Sequence, residues 1–226
     1  MVEVEDSAVL LEAGPLRQEM GVERLPSGVL HVAARTDMPR VKGRMMEWWF
    51  RFAADTAQYM WWHPHDHVSS EWIETSATTH IGSTHIVKER LNGSEVQDLK
   101  IHFVDPREIF GKQAYDDAVA RGDVTTTIAA MIGLGEEPLR DDKGRPNMGR
   151  MAHIARDTPD GLVLRSRFWL GAGTGLPPET LSQVIPEQMG LDLMWHAHTE
   201  FKYLARILPS LYIAENPDDE EAYLPW

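Results

Sequence analysis

The sequence predicts an α+β protein, an antiparallel sheet wrapped around a long C-terminal helix, with a small helical piece in front. Three observations carry this. Two pairs of β-rich segments are each joined by a tight-turn dipeptide, Asn92-Gly93 and Asp160-Gly161, where residues tolerant of positive φ let antiparallel strands reverse. Residues 179–208 form a helix-forming stretch, read as one or two helices up to Pro209. Strands and helices do not alternate, which argues against a parallel doubly wound sheet.

Each element follows in order. Residues 1–45 read as an N-terminal extension, helical around residues 7–20, with a turn at Pro26-Ser27-Gly28 and an apolar run at 29–34. Residues 46–226 form the main domain. Residues 45–52 (MMEWWFRF) read as a helix, and residues 59–64 as a short strand stopped by Pro64. Residues 79–91 and 95–104 are the arms of the first hairpin. A polar stretch over 105–123 leads to a β-branched segment at 124–134. After a loop at 135–149, residues 150–156 and 162–170 form the second hairpin. The tail, residues 216–226, is acidic and reads as frayed.

Composition narrows the function. A chain of 226 residues with a net charge of −13 is poorly suited to a phosphate backbone or an anionic membrane surface. No apolar run reaches membrane-spanning length, and the N-terminus lacks a signal-peptide pattern, so the expected location is the cytoplasm. With no cysteine, disulfides, thiol nucleophiles and thiolate-bound metals are excluded, and any metal must sit on His, Asp, Glu or backbone. The glycines of GAGTG at 171–175 lack the remainder of a nucleotide-binding fingerprint, and neither G-x-S-x-G nor H-E-x-x-H occurs.

Histidines remain. His63, His65 and His67 cluster with Asp66 after an aromatic run, and His196 and His198 precede Glu200 in the C-terminal helix. His-x-x-x-acid occurs at His67/Glu71, His85/Glu89, His153/Asp157 and His196/Glu200. On a helix this spacing stacks the two side chains on one face. Met189, Leu193, Tyr203, Leu204 and Ile207 give the last pair an apolar setting, where an unpartnered carboxylate is costly. The pair is either a metal-ligand couple or a solvated ion pair at the stripe's edge. The first cluster is either a ligand group or a polar loop, with Asp66 able to orient a ring nitrogen. Glu89 shares a strand face with His85 and Val87, pointing either inward, where it needs neutralising, or outward beside Lys88 and Arg90.

Trp62-His63-Pro64-x-Asp66-His67, the hairpin around Arg156-Asp157-Thr158-Pro159-Asp160-Gly161 with Arg165-Ser166-Arg167-Phe168-Trp169, and His196-x-x-x-Glu200-Phe201 running to Pro209 resemble the 2,4-diacetylphloroglucinol hydrolase family over residues 45–211. The resemblance implies a Bet v 1-like helix-grip fold and a Zn²⁺ ion held by His63, Glu89, His196 and Glu200, with His67 as the alternative to His63. It implies hydrolysis of the carbon–carbon bond between an acyl group and a phenolic ring, releasing a carboxylic acid such as acetate. Asp66 falls where the family has a substrate-contacting Asn, and His153 and Trp169 fall near a family His and Tyr at the pocket. Glu200, His153 and Asp66 are therefore the expected catalytic residues, and Asp66, His153 and Trp169 the substrate contacts. Trp48, Trp49, Trp61 and Trp62 are candidates for the apolar surroundings. The expected partner is a small acylated phenol; dimers occur in the family, so the resemblance allows a homodimer, while the sequence itself is silent on assembly. The rival functions are a non-catalytic carrier of hydrophobic ligands on the same fold and a zinc-dependent ester hydrolase.

Overall fold

Near-continuous burial along the central strands gives the sheet two buried faces rather than one. In the computed structural model, which describes residues 1–220, eight antiparallel strands form one sheet in the order β1-β2-β8-β7-β6-β5-β4-β3. They are β1 (Gly21–Arg24), β2 (Leu30–Pro39), β3 (His67–Ile73), β4 (Thr84–Glu89), β5 (Gln97–Val104), β6 (Thr126–Leu134), β7 (Gly149–Thr158) and β8 (Gly161–Leu170). Both predicted hairpins form. Asn92 (φ 53°) and Gly93 (φ 79°) adopt the left-handed conformation between β4 and β5, and β7 pairs with β8 from Gly149↔Leu170 to Thr158↔Gly161.

The helix α6 (Glu187–Glu215) lies along the concave face. There Val32, Ile128, Ala130, Leu164 and Phe168 meet Leu193, Ala197, Phe201 and Leu204. The fold is thus the Bet v 1-like helix-grip. On the opposite face, Ala129, Met131, Ala152, Ile154 and Trp169 are covered by a 3-10 helix (Val4–Leu11), α3 (Arg107–Phe110) and α4 (Lys112–Arg121). No helix among the described residues is long and apolar enough to cross a membrane.

Several expectations need correction. The region before residue 45 is not mainly helical: β1 and β2 belong to the sheet, and β2 pairs along its whole length with β8. Residues 59–64 do not form a strand. They complete the helix α2 (Thr56–Trp62), which follows α1 (Gly43–Phe52) and starts in a capping box where Asp55 accepts from the Gln58 N–H and Gln58 returns the bond. Residues 67–73, to which the sequence assigned no element, form the edge strand β3. The polar stretch 105–123 folds into α3 and α4. Pro209 does not end the last helix, which continues to Glu215 after a short α5 (Pro178–Val184). Proline there forfeits one backbone bond, but Leu208, Pro209 and Tyr212 are buried and Tyr212 packs edge-on against Trp48. Of the acidic tail, residues 221–226 lie outside the described residues.

Candidate metal centre

Three elements converge at one end of the cavity between sheet and helix. β3 starts at His67, whose cross-strand partner on β4 is Glu89, so sheet register alone sets an imidazole beside a carboxylate. His85, Val87 and Glu89 are all buried on the inward face of β4. From α6, His196 and Glu200 descend one helical turn apart, 3% and 7% exposed. His67 Nε2 lies 3.6 Å from Glu200 Oε2 and 3.8 Å from Glu89 Oε2, and His196 Nε2 lies 3.7 Å from Glu89 Oε1. Ligands at about 2.1 Å from a tetrahedrally held zinc stand about 3.4 Å apart, so His67, Glu89 and His196 are already close to the spacing one ion needs, and Glu200 approaches them on the His67 side.

Hydrogen bonds behind the four groups aim them. The Tyr59 carbonyl lies 2.9 Å from His67 Nδ1, and because a carbonyl only accepts, the proton sits on Nδ1 and Nε2 keeps its lone pair. That Nε2 is buried and has no hydrogen-bond partner, an arrangement a cation would satisfy. Asp66 Oδ2 takes the Nδ1–H of His196 at 3.1 Å, which turns the second Nε2 toward the same point. The Tyr59 hydroxyl donates to Glu89 Oε2 at 2.5 Å, and its ring stacks on His67 at 3.7 Å. Such supporting contacts set tautomer and ring orientation at metal sites.

The charge balance also calls for a cation. Among the described residues, Asp66, Glu89 and Glu200 have imidazoles as their ion-pair partners here. Burial pushes the Glu200 carboxyl up to about 8. Burial acts to lower His196, yet Glu89, the Asp66 hydrogen bond and Glu200 raise it to about 9. Burial, reinforced by the neighbouring His196, pushes His67 far down. One imidazole thus carries a proton where a divalent ion would supply more charge.

Among the described residues, two groups have the geometry to hold a metal: His63, Asp66 and His196, and His67, Glu89 and His196. The second opens onto the cavity, whose walls include Glu89, His196 and Glu200. The first does not. His63 Nδ1 accepts the Asp66 N–H at 3.2 Å, which leaves the ring proton on Nε2, 3.5 Å from Asp66 Oδ2. His63 thus lacks a lone pair facing the centre, and it stacks parallel to His196 at 5.0 Å instead. Of the four ligands expected, the structure brings Glu89 and His196 together with His67, the alternative to His63, and sets Glu200 against His67.

The remaining expected residues separate. His153 lines the cavity and its Nδ1 is held by Ser166 Oγ at 2.8 Å. Asp66 does not reach the cavity: its oxygens take the Asn92 and Gly93 N–H groups at 3.0 and 3.1 Å as well as His196. Its place is behind the centre, not against a substrate. Trp169 points to the opposite face of the sheet, where it stacks on His31 and donates to the Val2 carbonyl. Strand alternation puts its neighbour Phe168 in the cavity wall. Of the tryptophans singled out, Trp62 lines the cavity with its indole N–H unpartnered, Trp48 and Trp49 pack in the core, and Trp61 is exposed. Sequence reasoning missed Tyr59 as a site residue. The capping box at Asp55 was the legible signal, because it makes residues 56–62 helical and turns Tyr59 inward.

Fold and centre together define a helix-grip protein with a buried His/Glu cluster that has the geometry for a cation beside an apolar cavity. The family model described as the DAPG hydrolase PhiG domain matches residues 1–213, and the chain belongs to that family. The match includes the first 45 residues, consistent with their place in the sheet. A 2,4-diacetylphloroglucinol hydrolase of Pseudomonas protegens is 26% identical, over 92% of this chain and 72% of its own. A phloretin hydrolase of Eubacterium ramulus is 27% identical, over 83% of this chain and 69% of its own. Similar solved structures include protein NE0264 of Nitrosomonas europaea, with a TM-score of 0.48, 10% identity and coverage of 84% of this chain and 99% of that one. Another is Ara h 8.0201, with a TM-score of 0.45, 12% identity and the same coverages. The fold is read from the strand order and the long helix themselves.

Proposed function

We propose that the protein is a zinc-dependent hydrolase that cleaves the carbon–carbon bond between an acyl group and a phloroglucinol-type ring. The observation that carries the reading is the unpartnered Nε2 of His67, aimed at Glu89 and Glu200 at the end of the cavity. Family membership and the two hydrolases named above support it.

His67, Glu89, His196 and Glu200 would hold the ion, two neutral imidazoles and two carboxylates that offset its charge and limit the cost of burying it. When bound, zinc supplies a Lewis acid for the acyl oxygen and lowers the pKa of water. The chain itself does the rest. Phe50, Trp62, Phe103 and Phe168 give the ring an apolar slot that excludes bulk water. Burial keeps the His153 imidazole neutral, its pKa lowered to about 3. With Nδ1 held by Ser166, it offers Nε2 to a phenolic oxygen and can relay the proton that the ring carbon gains. Water adds OH to the acyl carbon and H to the ring carbon, so the products are a carboxylic acid and the deacylated phenol.

Metal analysis together with acetate release from an acetylphloroglucinol tests this. One zinc per chain and chelator-sensitive acetate release are expected. Glu200→Gln should fold, as judged by circular dichroism, and lose turnover by at least about 100-fold, the scale of removing a group that acts directly in catalysis. Substrate bound but recovered unchanged by the metal-loaded wild-type protein would instead mark a carrier. Cleavage of aryl esters only would mark an ester hydrolase.

A further inference from the structure

One polar side chain in the cavity wall takes no part in the centre. His85 is 2% exposed and lines the cavity. It stands on β4 four residues before Glu89 and on the same face, about 13 Å along the strand. Its ring stacks on Trp72 at 4.0 Å and meets Tyr59 edge-on at 5.1 Å, and Tyr59 stacks on His67 at 3.7 Å. Tyr59 therefore stands between His85 and the His67 imidazole, and the same cavity wall carries Tyr59, His85 and Glu89.

The tautomer of His85 follows from Ser70. Ser70 Oγ lies 2.8 Å from the Ala54 carbonyl and 2.8 Å from His85 Nε2. A hydroxyl has one proton. The carbonyl can only accept, so it takes that proton, and the bond to His85 must be donated by Nε2–H. Nδ1 is left as a bare acceptor, and no described group donates to it. Around it the wall is apolar, with Phe50, Ile101 and Phe103.

We propose that His85 Nδ1 accepts the hydroxyl at the end of the phenolic ring remote from the scissile acyl group, and so makes the cavity selective for rings carrying that hydroxyl. This rests on the acylphenol reading above. A ring without the hydroxyl leaves a buried acceptor unpaired, which a polar site penalises far more than a missing methylene. His85 positions and selects the substrate; it does not touch the bond that breaks.

The test compares 2,4,6-trihydroxyacetophenone with 2,6-dihydroxyacetophenone, which differ only in the remote hydroxyl. Both calorimetric Kd and kcat/KM for acetate release are measured on the metal-loaded protein. The wild type should prefer the first by about tenfold or more. His85→Phe should reduce the preference to about twofold through the trihydroxy compound alone. Ser70→Ala, which frees the imidazole tautomer while keeping the cavity wall, should lower it partway and serves as the deciding variant if His85→Phe does not fold. Equal wild-type binding of the two ketones, or no binding of either, overturns the proposal, as does a preference unchanged in the folded variants. Preferential binding without acetate release would sink the hydrolase reading and leave the role of His85 standing. Release from both ketones without discrimination would do the reverse.

Discussion

His63 and His67 are four residues apart in the same motif, and what separates them is which nitrogen has a lone pair to give. The Asp66 backbone N–H occupies Nδ1 of His63, whereas the Tyr59 carbonyl holds the Nδ1 proton of His67 and frees its Nε2. His67→Ala should therefore lose stoichiometric zinc on dialysis, while His63→Ala retains it. Metal content per chain checks this, and the reverse pattern would return the ligand role to His63. Residue types and the His196/Glu200 spacing were legible in the sequence, because a helix converts spacing into facing. The choice between two nearby imidazoles was not, since it depends on backbone groups that meet only after α2 and β3 have formed. For Asp66 the resemblance implied a substrate contact, whereas the residue itself was readable as able to orient a ring nitrogen. Its bond to His196 and the turn at Asn92 and Gly93, which claims both of its oxygens, match the second reading.

At the scale of elements, a one-residue step along a strand changes a side chain's surroundings entirely. Phe168 faces the cavity and Trp169 the opposite layer. Trp169→Ala should destabilise the fold by about 3–5 kcal/mol, the usual cost of emptying a buried aromatic site, and leave KM unchanged. Phe168→Ala should raise KM. Urea unfolding and steady-state kinetics separate the two, and a KM effect confined to Trp169→Ala would contradict the register. The hairpins were readable from Asn92-Gly93 and Asp160-Gly161 because turn chemistry is local. Which face of β8 meets the helix was not readable, because both faces are buried and hydrophobic alternation is lost: Leu164, Phe168 and Trp169 are all nearly inaccessible. Pro209 misled for a related reason. A proline's local cost is small beside the packing of the turns around it, which only the folded molecule supplies.

Across the whole molecule, residues 1–20 act as a strap over the sheet rather than as an appendage. Arg165 donates to the Leu10, Glu12 and Gly14 carbonyls and pairs with Glu19, which also meets the buried Arg167. Removing Glu19 leaves Arg167 buried without its carboxylate, and Glu19→Ala should cost about 3–5 kcal/mol in a denaturation experiment. A loss under 1 kcal/mol would show that the strap is held by other contacts. A pH dependence also belongs at this scale. Burial lowers His31, with the Arg167 charge adding to the effect, and lowers His85 and His153 by burial alone, all to about 3. Between about 3 and 6.5 the unfolded chain binds protons that the folded chain refuses. The contribution of these three histidines is therefore full above 6.5 and falls as pH drops through that window, by up to about 1.4 kcal/mol per pH unit for each imidazole. Urea midpoints from pH 7 to 4 should show this decline, and a flat profile would contradict it.

The sequence by itself determined the fold class, the family, the absence of thiol chemistry and the one-turn spacing of His196 and Glu200, because turn dipeptides, helical spacing and residue type act over a few positions. Only the tertiary structure decided that residues 21–39 complete the sheet, that His67 rather than His63 turns a free nitrogen toward Glu89 and Glu200, and that His85, Asp66 and Trp169 stand in the cavity, behind the centre and on the far face. Those outcomes depend on strand register and on hydrogen bonds between distant segments, and a contact between residues far apart in the chain leaves no mark on the neighbours of either.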